Sequence, residues 1–115
     1  MVDWWACAWA AMRLADPRFT PILTRAASAE DSYLRSLGAR GLGALKNPAH
    51  LGLIRKLAED REPGVVIQAL RAVGAIGAAE GAAIAALHLE SPNLALRHEA
   101  LAALAALPPD SKLRP

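Results

Sequence analysis

The segment Tyr33-Leu34-Arg35-Ser36-Leu37-Gly38-Ala39-Arg40-Gly41-Leu42-Gly43-Ala44-Leu45 aligns without a gap on Gly64-Val65-Val66-Ile67-Gln68-Ala69-Leu70-Arg71-Ala72-Val73-Gly74-Ala75-Ile76 at an offset of 31 residues. Leu34 falls on Val65, Gly38 on Ala69, Arg40 on Arg71, Leu42 on Val73, Gly43 on Gly74 and Leu45 on Ile76. A further step of 31 reaches Leu96, Ala100, Ala102, Leu104, Ala105 and Leu107, and Arg35 recurs as Arg97. A step back finds a partial first copy, with Leu14 under Leu45, Asp16-Pro17 under Asn47-Pro48 and Ile22-Leu23 under Leu53-Ile54. Self-similarity at one fixed period marks an array in which each unit packs mainly on its neighbours.

Each copy holds two helical patterns. Leu34, Gly38, Leu42 and Leu45 follow the spacing of one helix face, and Leu51, Ile54 and Leu57 form a second stripe. Breaks fall at Asp16-Pro17, Asn47-Pro48 and Gly77, because proline ends one helix and is tolerated in the first turn of the next. Pro63 and Pro92 are expected to open later helices, with Ser91 as an N-cap. The spacing predicts helices over 3–15, 18–28, 31–45, 48–59, 63–76, 79–89 and 92–107, in units near 3–28, 31–59, 62–89 and 92–107, followed by a Pro-rich tail at 108–115. The first unit lacks a lead-in and the tail stands where an eighth helix would begin, so the chain is expected to be part of a longer array. Gly38, Ala69 and Ala100 share one register position, and Gly43, Gly74 and Ala105 another. Helical glycine costs about 1 kcal/mol against alanine, so its recurrence implies close helix–helix approach.

Bulk properties narrow the function classes. Hydrophobic residues make up 54% of the 115, enough for a core, and the scarcity of β-branched residues argues against a sheet. A net charge of +2 without any block of like charge is too mild to imply nucleic acid. Apolar stretches are broken by charge or proline, so no membrane span is expected. No signal peptide is visible, which gives the cytoplasm as the expected compartment unless a leader has been removed. The single Cys7 excludes an internal disulfide and a cysteine-based zinc site, and its small neighbours suggest a buried position.

These residues resemble HEAT repeats of the short class also seen in phycobilin lyase subunits. That unit has the form D-x-x-P-x-V-R-x-x-A-x-x-A-L-G-x-I-G-D, and Glu62-Pro63-Gly64-Val65 through Ala69, Ala72-Val73-Gly74 and Ile76-Gly77 follow it. Val66 replaces the usual arginine, which Arg35 and Arg97 keep; Asp3 and Trp4 make the first copy atypical, and Lys46 and Pro108 replace the final glycine. The resemblance implies an all-α, right-handed α–α superhelix and is unspecific for function, since the matching positions are structural. A looser similarity, through the Trp-Trp start and Arg40-Gly41-Leu42-Gly43, is to HEAT arrays attached to bacterial cyclophilin-type peptidyl-prolyl isomerases.

Candidate sites are few. Trp5 and Trp9 are i, i+4 neighbours whose register mates (Ser36 and Arg40, Ile67 and Arg71, His98 and Ala102) are mostly not core-like. With Trp4 they form either a surface for a neighbouring unit or a second copy, giving self-association, or an aromatic ligand site. The resemblance to HEAT arrays implies that the second helices line the concave, ligand-facing side, where they offer Arg18, Thr24, Arg25, His50, Arg55, Lys56 and Glu80. This modest basic stripe is either an ordinary solvated face or a docking surface for an acidic protein segment, with salt-sensitive phosphate-backbone binding as a third reading. His50, His88 and His98 are scattered, with no metal-ligand spacing. No serine stands in G-x-S-x-G, and Glu30-Asp31 and Glu59-Asp60 suit caps or partners for the repeat arginines. Gly38 to Gly43 lack the strand and the G-K-[ST] of a phosphate loop. The expectation is a non-catalytic interaction or scaffold module without cofactor, binding a protein partner; the alternative is an accessory array of an enzyme, lyase-like or isomerase-attached.

Overall fold

A computed structural model describes residues 4–108. Asp3 and most of the expected Pro-rich tail lie outside the described residues. Seven α-helices follow in the expected order: α1 (Trp4–Leu14), α2 (Thr20–Ala27), α3 (Ser32–Leu45), α4 (Leu51–Leu57), α5 (Pro63–Ile76), α6 (Ala82–Ala86) and α7 (Leu94–Ala105). Among the described residues there is no strand.

The second helices are shorter than their sequence patterns. Each is entered through one tight 3-10 turn, at Pro17–Phe19, Pro48–His50 and Ala79–Gly81. Local chemistry fixes the first two. The Asp16 carboxylate accepts from the Arg18 N–H at 2.9 Å, and the Asn47 side chain accepts from the Ala49 N–H at 3.0 Å. Proline then sets the first turn position.

The long helices start in register at Asp31, Glu62 and Asn93, each with extended backbone. Asp31 accepts from Tyr33 N–H at 2.8 Å, and Asn93 from Ala95 N–H at 2.9 Å. Pro63 opens α5 as expected, but Pro92 does not open α7 and Ser91 is not its N-cap. Asn93 carries a better-placed acceptor, so α7 begins two residues later. Ser91 instead accepts from the Asn93 N–H at 3.1 Å, as its register mate Asp60 does from Glu62 N–H at 2.9 Å.

The helix ends repeat as well. Ala15, Lys46 and Gly77 share a register position, and all three take left-handed backbone, with φ of 48°, 55° and 70°. That conformation closes the last turn, and only glycine adopts it without a Cβ penalty. The fourth register position is Pro108, whose ring holds φ negative, and α7 ends differently, through Ala106 at φ −83°.

α1, α3, α5 and α7 pack in succession as one layer, while α2, α4 and α6 each lean on the long helix that follows and barely touch one another. The closest approaches lie in and beside the long layer. A Cβ on Gly43 would stand 2.7 Å from the Cα of Ala72 on α5, and one on Gly38 would stand 2.5 Å from the backbone N of Ala27 on α2. Both glycines thus hold the place the repeat predicts for them. Leu23, Leu42, Ile54, Leu70 and Val73 are fully buried between the layers, with no buried polar residue among the described ones.

The molecule is elongated, 53 × 28 × 18 Å. Both layers present a face to solvent, the long helices through Trp9, Arg40 and Arg71 and the short ones through Arg25, Arg55 and Lys56.

Candidate interaction surface

Several charges are engaged in holding units together. Arg35 donates through Nε and Nη2 to both carboxylate oxygens of Asp60, at 2.7 and 3.1 Å, and through Nη1 to the carbonyls of Ala29 and Glu30. The two side chains are only 12% and 11% exposed. Burial opposes ionisation of Asp60, but the Arg35 hydrogen bonds, the Glu62 N–H and the Arg35 and Arg61 charges outweigh it and hold its carboxyl below the usual carboxylate range. In the next unit Val66 stands in place of Arg35 and packs with Leu70, Leu96 and Ala100. There His88 supplies the polar link, donating from Nε2 to the Ala58 carbonyl at 2.6 Å. His50 is half-buried and His98 exposed.

The outer face of the long layer is different in character. Trp9, Arg40, Arg71 and Ala102 occupy one register position on α1, α3, α5 and α7. Neighbouring helices of this kind lie roughly 8–10 Å apart, so these side chains make a row across the layer. Trp5 and Trp9 are 46% and 47% exposed. Trp5 stacks on Tyr33 of α3, with ring centroids 4.8 Å apart and planes 16° from parallel. The Arg13 guanidinium lies over the Trp9 ring at 5.2 Å. Arg71 donates to Glu99 of α7 at 2.9 Å, a hydrogen bond that raises its already high pKa. Arg40 has no ion pair among the described residues. Between α3 and α5 runs a groove of about 380 Å³, walled by Arg40, Gln68 and Arg71 above a floor of Gly43, Ala44, Ala72 and Ala75. A second, smaller one of about 250 Å³ between α5 and α7 is lined by Arg71 and Glu99.

The basic stripe is divided by the fold. Arg25 lies over the Trp4 ring at 4.8 Å, and the two flank a hollow with Cys7 and Ile22. Cys7 is accordingly half-buried rather than buried. Arg18 is held by the Asp16 carboxylate beside it, whose pKa the Arg18 side-chain and backbone hydrogen bonds lower. Thr24 donates to the Thr20 carbonyl within its own helix. Arg55 and Lys56 are exposed on α4, on the other layer from Trp5 and Trp9.

A family model for HEAT repeats matches residues 20–105. The chain belongs to the HEAT-repeat family. HEAT repeats are generally protein-interaction or scaffold modules and typically non-catalytic. Comparison with curated proteins finds no match. In this HEAT array no described helix is long and apolar enough to cross a membrane. Among the described residues no group of three or more His, Cys, Asp and Glu could hold a metal ion.

Sequence reasoning singled out Trp5 and Trp9 but passed over Arg40, Gln68, Arg71 and Tyr33. Arg40 and Arg71 recur with the repeat, and recurrence alone does not separate an outward row from packing positions. Their register with Trp9 was the available signal: a position that is aromatic, then basic twice, then alanine, and never a large aliphatic residue, faces outward rather than into the core.

Proposed function

We propose that this HEAT array is a non-catalytic protein-interaction module that receives its partner on the outer face of α1, α3, α5 and α7. The observation that carries this reading is the row of Trp9, Arg40 and Arg71, flanked by the Trp5–Tyr33 stack. Exposed tryptophan and arginine are the residue types that dominate interface energetics when a partner covers them. They stand on rigid helices, so little ordering is needed on binding. Side by side, the long helices offer a continuous surface broader than any one helix. The basic residues of the other layer are less suited, because Arg18 and Arg25 already engage Asp16 and Trp4.

The test compares two variants as bait in affinity capture with identification of the bound protein. Trp5→Ala/Trp9→Ala should lose a partner that wild type and Arg55→Glu/Lys56→Glu both retain. Loss in the second variant alone would move the surface to the short helices.

A further inference from the structure

The groove between α3 and α5 has a chemistry of its own. Its walls carry two guanidinium groups and one carboxamide, Arg40, Arg71 and Gln68, and no carboxylate. Its floor is backbone and methyl groups, because Gly43, Ala44, Ala72 and Ala75 bring nothing larger. Arg40 has all of its donors available among the described residues, and Arg71 uses Nε and Nη2 on Glu99, which leaves Nη1. At the same register position on α1, one long helix away, stands the exposed Trp9 ring.

We infer that this groove binds an acidic peptide segment of the partner, lying across the helices with carboxylates on Arg40 and Arg71, its backbone over the Gly43–Ala72 floor and an apolar side chain against Trp9. The inference rests on the interaction-module reading and adds the ligand's chemistry. Charge complementarity selects it: guanidinium forks match carboxylates in geometry and sign. Glu99 already accepts from Arg71 Nε and Nη2 through its Oε2, at 3.2 and 2.9 Å, so the face holds one carboxylate–guanidinium contact of its own. A nucleic-acid strand fits less well. Phosphate binding needs a continuous run of cations, whereas here the row ends in Glu99 and Ala102 over an apolar floor.

The test uses the full chain and the fluorescence of its tryptophans. The probe is a capped synthetic peptide in which glutamates alternate with leucine and glycine; the comparison peptide carries glutamine at every glutamate. The glutamate peptide should bind saturably and about tenfold or more tighter than the glutamine peptide, the factor expected from one or two charge-assisted hydrogen bonds. Arg40→Gln, which disturbs no ion pair among the described residues, should weaken it about five- to tenfold, and Arg40→Gln/Arg71→Gln should bring it to the glutamine level. Arg55→Gln/Lys56→Gln should leave it unchanged. Circular dichroism shows whether each variant remains helical. Equal affinity for the two peptides, an unaltered Arg40→Gln variant, no binding, or tighter binding of a thymidine single strand each overturns the inference. Equal affinities that are both lost in Trp9→Ala would overturn the acidic ligand while leaving the long-helix face as the contact surface.

Discussion

Arg35 and Asp60 meet across 25 residues of sequence as a bidentate pair, with Nε and Nη2 on the two carboxylate oxygens at 2.7 and 3.1 Å. The guanidinium also donates to the carbonyls of Ala29 and Glu30, so one side chain joins the turns that precede two successive long helices. Removing either partner leaves the other charge in a largely buried site. Asp60→Asn or Arg35→Gln should each cost about 2–3 kcal/mol in urea unfolding. The double variant should cost less than the sum, since the two substitutions remove the same contact.

The same pair sets a pH dependence. The native Asp60 carboxyl lies below its ordinary 3.8, so the unfolded chain takes up the proton first as pH falls. Its stabilisation is therefore complete above roughly pH 5 and is lost as pH drops from about 4 through the lowered native value. Thermal unfolding followed by circular dichroism should show a shallower acid-side decline in Asp60→Asn than in wild type. Parallel curves would place the acid sensitivity in other carboxylates.

Two glycines at one register position should respond in opposite ways. A Cβ on Gly43 would stand 2.7 Å from the Ala72 Cα, whereas one on Gly74 would stand 3.5 Å from the Ala103 Cα, an ordinary contact. Alanine gains about 1 kcal/mol of helix propensity at either site. Gly74→Ala should keep most of that gain, while at Gly43 overpacking of about 1–3 kcal/mol should outweigh it. Gly38→Ala should also destabilise, because the obstacle is backbone of Ala27 and Leu23 rather than a movable side chain. Chemical denaturation of the three variants reads the signs directly.

The helix ends offer a stabilising change. Lys46 and Ala15 hold φ of 55° and 48°, where Gly77 stands in the following unit. Lys46→Gly relieves the Cβ penalty at a position where left-handed backbone is already adopted, and should raise stability by about 0.5–1 kcal/mol. Gly77→Ala should lower it by a similar amount. The reverse pattern would mean that the ends relax once substituted.

The period was legible because each unit must repeat the same small and apolar contacts, so Gly43, Gly74, Leu42 and Val73 announce themselves. The link from a turn carboxylate to a repeat arginine was legible too, and Asp60 with Arg35 supplies it. The start of α7 was not, because Ser91-Pro92 resembles a cap and only the register of Asn93 with Asp31 and Glu62 identifies the true one. The groove arginines were missed because recurrence marks both packing residues and an outward row, and only burial separates Arg40 and Arg71 from Leu42 and Val73.

Mapping the partner's contact directly tests the central claim most sharply. A photo-crosslinking residue is placed at exposed Ala75 in the α3–α5 groove, or at exposed Lys56 on α4, and the partner retained in affinity capture is irradiated with each. A partner seated on the long helices crosslinks from position 75 and not from position 56. A crosslink from position 56 alone would contradict the claim and return the interaction to the short-helix layer.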